Sequence, residues 1–137
     1  MKYLFDTSAI FKAIQENKIN LLIQNYTIEL ARYELGNILW KNFYLNEKAS
    51  IKEIEALIEI IKQTLNLMKI IQIECTEQKI LETATKQKIT FYDASFTYHA
   101  KLNQLTLVTE DTQLQKKVEP IIKTINLDNI NQKTKNS

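Results

Sequence analysis

The chain contains twelve glutamates but only four aspartates, Asp6, Asp93, Asp111 and Asp128. Glutamates such as Glu53, Glu55, Glu59 and Glu82 decorate helix surfaces, whereas three of the aspartates fall where a strand or loop hands over to a helix. Asp6 closes the run Lys2-Tyr3-Leu4-Phe5, Asp111 follows Leu105-Thr106-Leu107-Val108-Thr109, and Asp93 stands just inside a helix headed by Thr90. In open parallel sheets the ligand site lies beyond the carboxyl ends of the strands, which is where Asp6 and Asp111 are expected. Taken singly, each acid also serves as a helix cap or first-turn residue, worth about 1 kcal/mol. The two roles are compatible, because a capping carboxylate can still offer an oxygen to an ion.

Glu34 breaks its pattern differently. Its neighbours at i−4 and i+4 are Leu30 and Ile38, so it falls inside the apolar arc of a helix. A glutamate is rarely placed there unless it is paired or bound to something. Arg32 and Lys41 lie elsewhere on the helical wheel, which leaves a salt bridge from another element or a ligand. If Asp6, Glu34, Asp93 and Asp111 converge, each pair about 4 Å apart repels by about 4 kcal/mol at an effective dielectric of about 20. Several such pairs would cancel a domain's entire stability of about 5–15 kcal/mol. Either some of the carboxyls stay protonated or a cation sits among them. A hard divalent ion with oxygen ligands, Mg²⁺ or Mn²⁺, suits such a set, and its waters can attack a phosphodiester. The same physics permits a phospho-accepting receiver site.

These residues need a scaffold to bring them together. Lys2 to Phe5 reads as a buried strand, and Thr7 or Ser8 starts a helix carrying Ile10, Phe11 and Ile14. Ile19 to Ile23 is expected to add a short strand, and Thr27 to Leu45 a strong, well-buried helix. Ser50 with Glu53 forms a capping box opening a long helix, whose stripe runs Ile51, Ile54, Leu57, Ile58, Ile61, Leu65 and Met68. Lys69 to Ile73 is a strand, Thr76 starts a helix to about Lys86, and Thr90 to Asp93 is a second capping box heading a helix to about Leu102. Leu105 to Thr109 is a clear strand, Asp111 begins a short helix to about Val118, and Ile121 to Leu127 is a last strand after Pro120. This order predicts an α/β fold with a central, mostly parallel sheet sandwiched between helices. Residues 1–130 form one domain and residues 131–137 a polar tail.

Composition excludes several classes. One glycine and one proline in 137 residues exclude collagen-like and turn-rich all-β architectures, and Gly36 alone cannot build a glycine-rich phosphate loop. A single cysteine, Cys75, excludes an internal disulfide and a cysteine-based zinc site; its flanks suggest a small buried thiol. A net charge of +2 neither announces nor forbids a nucleic-acid partner, and the single arginine, Arg32, argues against bidentate reading of guanine. No stretch is long and apolar enough to span a bilayer, and Asp6 interrupts any signal-peptide core, so a cytoplasmic protein without membrane association is expected. His99, the only histidine, is expected at the surface or partly packed. Trp40, Phe43 and Tyr44 are expected in the core or an interface.

Four segments together resemble the PIN domain: Asp6-Thr7-Ser8-Ala9, Tyr33-Glu34-Leu35-Gly36-Asn37, Tyr92-Asp93-Ala94-Ser95 and Leu107-Val108-Thr109-Glu110-Asp111. Their order and the chain's size resemble the VapC-type toxins of prokaryotic toxin–antitoxin pairs, over about residues 1–127. The resemblance implies a three-layer α/β/α sandwich and a ribonuclease that hydrolyses RNA phosphodiesters with a metal-activated water. Asp6, Glu34, Asp93 and Asp111 would be the acidic catalytic cluster holding Mg²⁺ or Mn²⁺, with Thr7 or Ser8 and Thr109 orienting ligands or water. It further implies an RNA substrate, a cognate antitoxin and a homodimer; the Ile51–Met68 stripe would suit either protein partner. Glu110 has no assigned role and either substitutes for Asp111 or faces solvent. Lys12, Lys41, Lys86, Lys88 and Lys101 either contact RNA or are simply solvated. Two alternatives stay open: a catalytically weak PIN domain acting as an RNA-binding or assembly module, and a receiver-like phospho-acceptor. Against the second, Asp6 lacks an adjacent second acid, and no lysine of the expected kind follows the strand at Leu105–Thr109.

Overall fold

Five short strands form one sheet in the computed structural model, which describes residues 3–130. They are β1 (Tyr3–Phe5), β2 (Tyr26–Ile28), β3 (Lys69–Ile71), β4 (Thr106–Val108) and β5 (Thr124–Ile125). Their order across the sheet is β3-β2-β1-β4-β5, and every neighbouring pair is parallel. Parallel neighbours need crossovers, and these are supplied by α1 (Thr7–Gln15), α2 (Leu30–Trp40), α3 (Ile51–Asn66), α4 (Glu77–Gln87), α5 (Phe91–Leu102) and α6 (Thr112–Val118). The chain moves outward from β1 to β3, then returns past β1 to β4. Right-handed crossovers therefore place α1 to α3 on one face and α4 to α6 on the other, giving three layers. The reversal falls between β1 and β4, and open α/β sheets bind ligands beyond the carboxyl ends of the strands at such a point.

The strands are buried because they sit between the layers. Leu4, Phe5, Ile28, Leu107 and Val108 are fully buried and pack with Ile10 and Leu35 from one side and Phe96 from α5. A smaller cluster of Ile80, Ala84 and Ala94 joins α4 to α5. Residues 127–130 are helical and close the core with Leu127 and Ile130. No helix among the described residues is long and apolar enough to cross a membrane.

Several sequence expectations are corrected. Ile19–Leu21 is a single 3₁₀ turn, and the second strand is Tyr26–Ile28, which takes Thr27 and Ile28 from the helix expected over Thr27 to Leu45. Thr27 enters the sheet because β2 pairs on both edges and its hydroxyl donates to the Phe5 carbonyl at 2.8 Å. The helix is α2, prolonged by a π-helical turn at Lys41–Leu45. It is not buried all round: Tyr33 is 74% exposed, and Trp40 and Tyr44 are exposed beside one another, their rings tilted with centroids 6.3 Å apart. The stripe on α3 is likewise half covered, with Ile61 and Leu65 buried but Ile51 and Ile58 exposed. The last strand shrinks to two residues, Thr124–Ile125. Cys75 is exposed in a left-handed turn (φ 70°), whereas His99 is buried, bonded to the Ser95 carbonyl and the Thr76 hydroxyl. The capping boxes fare better: Ser50 and Glu53 bond reciprocally, and Thr90 accepts from the Asp93 amide. The polar tail 131–137 lies outside the described residues.

Leu107 is fully buried at the middle of β4, the strand that delivers Asp111. Leu107→Ala is expected to lower unfolding free energy by about 2–5 kcal/mol in a denaturant titration, because the sheet cannot collapse around the void. A loss below about 1 kcal/mol would mean this part of the core is loosely packed.

Candidate functional site

A cavity of about 670 Å³ opens at the carboxyl edge of the sheet, lined by Asp6, Glu34, Asp93 and Asp111 together with Thr7, Ser8 and Lys41. The four acids come from four different segments. Asp6 is the residue after β1, and its amide donates to the Val108 carbonyl at 3.0 Å, which ties it to the end of β4. It is the N-cap of α1: Oδ1 accepts from the Ala9 amide at 3.0 Å and from the Ser8 hydroxyl at 2.6 Å. Asp111 caps α6 in the same way, its Oδ1 accepting from the Gln113 and Leu114 amides, both at 3.0 Å. Asp93 occupies the first turn of α5. Glu34 reaches across from the middle of α2, and the Thr7 hydroxyl donates to its Oε1 at 2.6 Å. The partner that Glu34 lacks within its own helix is thus a hydroxyl at the start of α1.

Hydroxyls set the remaining orientation. Thr109 is fully buried; its hydroxyl accepts from the Asp111 amide at 3.2 Å and lies 3.5 Å from the Ser8 oxygen. Ser8 also accepts from the Glu110 amide at 3.1 Å, which links the two strand ends across the switch point. Leu30, Ile38 and Phe96 supply an apolar wall, and Tyr33 and Tyr92 stand exposed at the rim.

Electrostatics mark out three of these acids, Asp6, Glu34 and Asp93. Burial pushes the Asp6 carboxyl up from 3.8 to about 6, against the lowering effect of its bonds to Ser8, Thr109 and Ala9. Burial also raises Glu34, offset by the Thr7 bond, and it raises Asp93, helped by the nearby charge of Asp111. Asp93 in turn raises both Asp6 and Glu34. It is therefore coupled to each of the other three. Among the described residues no three acidic, histidine or cysteine side chains stand close enough to hold an ion between them. The four acids line a common space without hydrogen-bonding one another.

Other candidates separate from the cleft. Glu110 turns away: its Oε1 pairs with Lys12 at 2.9 Å and its Oε2 accepts from the Leu127 amide at 2.8 Å. It neither replaces Asp111 nor faces solvent freely; it pins the helical turn at 127–130 to α1. Lys12 is committed to that network with Glu16 and Asp128. Of the five lysines, only Lys41 lines the acidic cleft; Lys88 lines a smaller cavity beside it, and Lys86 and Lys101 line a separate one on α4 and α5. The sequence reading passed over Lys117, whose positive charge favours the ionised form of Asp93. Its periodic position gave no signal, because a lysine in a last helical turn is ordinary.

A parallel sandwich carrying four acids at its switch point defines the class. The chain belongs to the PIN-domain family, which it matches over residues 3–119. It is 30% identical over 128 residues, 89% of this chain and 90% of the relative, to exonuclease VapC9 of Pyrobaculum aerophilum. The crystal structure of PAE2754 from the same organism superposes with a TM-score of 0.80 at 28% identity, covering 95% of this chain and 93% of that one. VapBC2 from Rickettsia felis, solved with a DNA fragment from its promoter, gives a TM-score of 0.67 at 20% identity over 93% of this chain and 100% of that one, a likeness of fold. Membership of this family removes the receiver-like alternative.

The raised carboxyl at Asp6 sets a pH dependence for the metal-free protein. A carboxyl held at about 6 when folded, against an ordinary 3.8, favours the folded state while protonated and opposes it once ionised. That stabilisation is full below about pH 4 and is lost as pH rises through about 6, amounting to about 3 kcal/mol. Asp6→Asn keeps a capping oxygen, so in EDTA its stability is expected to exceed wild type above pH 7 and to decline less from pH 4. Parallel pH profiles for the two proteins would assign the decline to other groups.

Proposed function

We propose that this chain is a metal-dependent endoribonuclease and the toxin of a type II toxin–antitoxin pair. The observation that carries the reading is the meeting of Asp6, Glu34, Asp93 and Asp111 around one cavity, with Asp93 electrostatically coupled to the other three. The donor set is all oxygen, which fits Mg²⁺ or Mn²⁺ and excludes the softer ligand sets that favour zinc or copper. When bound, such an ion supplies an activated water and neutralises charge on the phosphate as its ester bond is hydrolysed. As placed, the four acids line the cavity without forming a closed cage, so Asp6, Glu34, Asp93 and Asp111 would have to draw together around the ion to hold it.

The remaining steps are the work of the chain's own groups. Thr7 fixes one oxygen of Glu34 and leaves Oε2 without a protein donor among the described residues; Asp111 likewise keeps Oδ2. Ser8 and Thr109 bracket Asp6 and hold the ends of β1 and β4 in register. Tyr33 and Tyr92 at the rim offer ring faces for unpaired bases, the part of RNA that proteins read by stacking. The exposed Trp40, Tyr44, Leu45, Ile51 and Ile58 give an apolar face for a protein partner, an antitoxin helix or a second copy of the chain. A cytoplasmic setting goes with that reading.

The name of the VapC9 relative favours one variant of this reading, cleavage from an end. Covalently closed circular RNA separates the two, since only an endonuclease opens it. Cleavage of circles is expected with Mn²⁺ and not with EDTA. Asp93→Asn is expected to lower kcat/KM by about 100-fold or more, the loss of several kcal/mol of transition-state stabilisation. Trimming of linear RNA with circles left intact would convert the assignment to exonuclease. Equal cutting by wild type and Asp93→Asn would show that the activity is not this protein's.

A further inference from the structure

Beside the acidic cleft lies a smaller cavity of about 320 Å³, and Asp93 and Asp111 line both. The two spaces therefore adjoin, and a chain of phosphates crossing the acids would run from one into the other. The remaining polar walls of the smaller cavity are Lys88, Thr90, Gln113 and Lys117. These four side chains share one chemistry: each can donate a hydrogen bond, and two are lysine ammonium groups. Thr90 accepts the Asp93 amide proton, so its own hydroxyl proton is directed elsewhere.

The lysines are placed to act together. Lys117 donates from Nζ to the Lys88 carbonyl at 3.2 Å, which brings α6 and the end of α4 to a common rim. Neither has an ion pair among the described residues, which is equally true of Lys86, Lys101 and Lys116; what sets Lys88 and Lys117 apart is that both line the smaller cavity beside the acids. Lys116, next to Lys117 and equally exposed, lines neither cavity. The contrast distinguishes a built set of donors from charge spread over a surface.

We propose that this smaller cavity seats the substrate phosphate adjacent to the one hydrolysed, gripped by Lys117 and Lys88 with Thr90 and Gln113 donating to its oxygens. The proposal rests on the nuclease reading above and extends it to how the RNA strand is laid across the site. Asp93 and Asp111 on the shared wall repel such a phosphate until a divalent cation covers them. The seat therefore operates only with the ion present.

The test is binding, read apart from cleavage. Fluorescence anisotropy of a short, mixed-sequence, labelled single-stranded RNA is followed in Ca²⁺ across a salt series, for wild type, Lys117→Gln, Lys88→Gly and Lys116→Gln. Lys88 sits in the left-handed region (φ 58°), so its glycine variant removes the cation without straining the turn. Loss of one phosphate contact lowers the log–log salt slope by about 0.7 and weakens binding about fivefold near 0.1 M salt. That result is expected for Lys117→Gln and Lys88→Gly, with Lys116→Gln within twofold of wild type. Mn²⁺ affinity, measured separately, should not weaken in Lys117→Gln, since the lost charge had opposed the ion. Wild-type RNA affinity in Lys117→Gln, or equal losses in Lys116→Gln and Lys117→Gln, overturns the phosphate seat and leaves the nuclease reading intact. A wild-type protein that neither binds nor cuts RNA overturns both.

Discussion

Burial is the constraint against which the cleft is built: it raises the carboxyls of Asp6, Glu34 and Asp93, and the charge of Asp93 adds to it at Asp6 and Glu34. Four carboxylates facing one cavity do not assemble by themselves. The fold must bring them there and hold them, and it does so with a parallel sheet whose two central strands end side by side. Asp6 and Asp111 follow β1 and β4, which pair residue for residue from Tyr3 and Thr106 to Phe5 and Val108. Because parallel strands share one direction, both acids emerge at the same edge. The cost of placing Asp6 in the interior shows in its carboxyl, held near 6 by burial. Burial here is a feature of the site, since a desolvated acid gains more from a cation than a solvated one does.

Local helix-capping chemistry is what aims these acids. Each of Asp6 and Asp111 uses one oxygen to cap the helix that follows, which fixes the side chain in a single rotamer. Glu34 has no cap to fix it and is aimed instead by Thr7, one residue after Asp6. Capping and the lining of the cleft are thus one arrangement at Asp6 and Asp111, so the stability of α1 and α6 is coupled to the geometry of the cleft. Glu110 shows the alternative outcome. It is adjacent to Asp111, yet it leaves the strand on the other side and spends both oxygens on Lys12 and the Leu127 amide.

Only Glu34 stood out locally, as a glutamate in an apolar arc; Asp6, Asp93 and Asp111 occupy ordinary capping or first-turn positions, and their convergence followed from the order of the elements. The long helices and β4 were legible from periodicity and capping boxes, and the layered architecture followed from their alternation. What was not legible depends on partners far away in the chain. Tyr26-Thr27-Ile28 is a strand only because β1 and β3 flank it, and on its own it continues smoothly into the apolar pattern of α2. For Trp40 and Tyr44 the sequence left core and interface open, and for Ile58 it favoured the core; all three are exposed, since hydrophobicity does not report whether a neighbour is present to cover it. Cys75 carries no local signal for its left-handed, exposed turn, and His99 none for its burial. Lys117 has meaning only beside Asp93, which lies on a different helix.

On the proposed reading the cleft binds a divalent cation, which displaces the proton that the buried Asp6 carboxyl otherwise holds. Calorimetric titration of Mn²⁺ into the metal-free protein, repeated in buffers of different ionisation enthalpy, counts the protons released as the ion binds. At pH 6 the account predicts binding with release of about half a proton or more, since the Asp6 carboxyl is near its midpoint there. At pH 8 it predicts tighter binding with almost none released. Absence of Mn²⁺ binding at pH 8, or binding whose proton release does not change with pH, would contradict it.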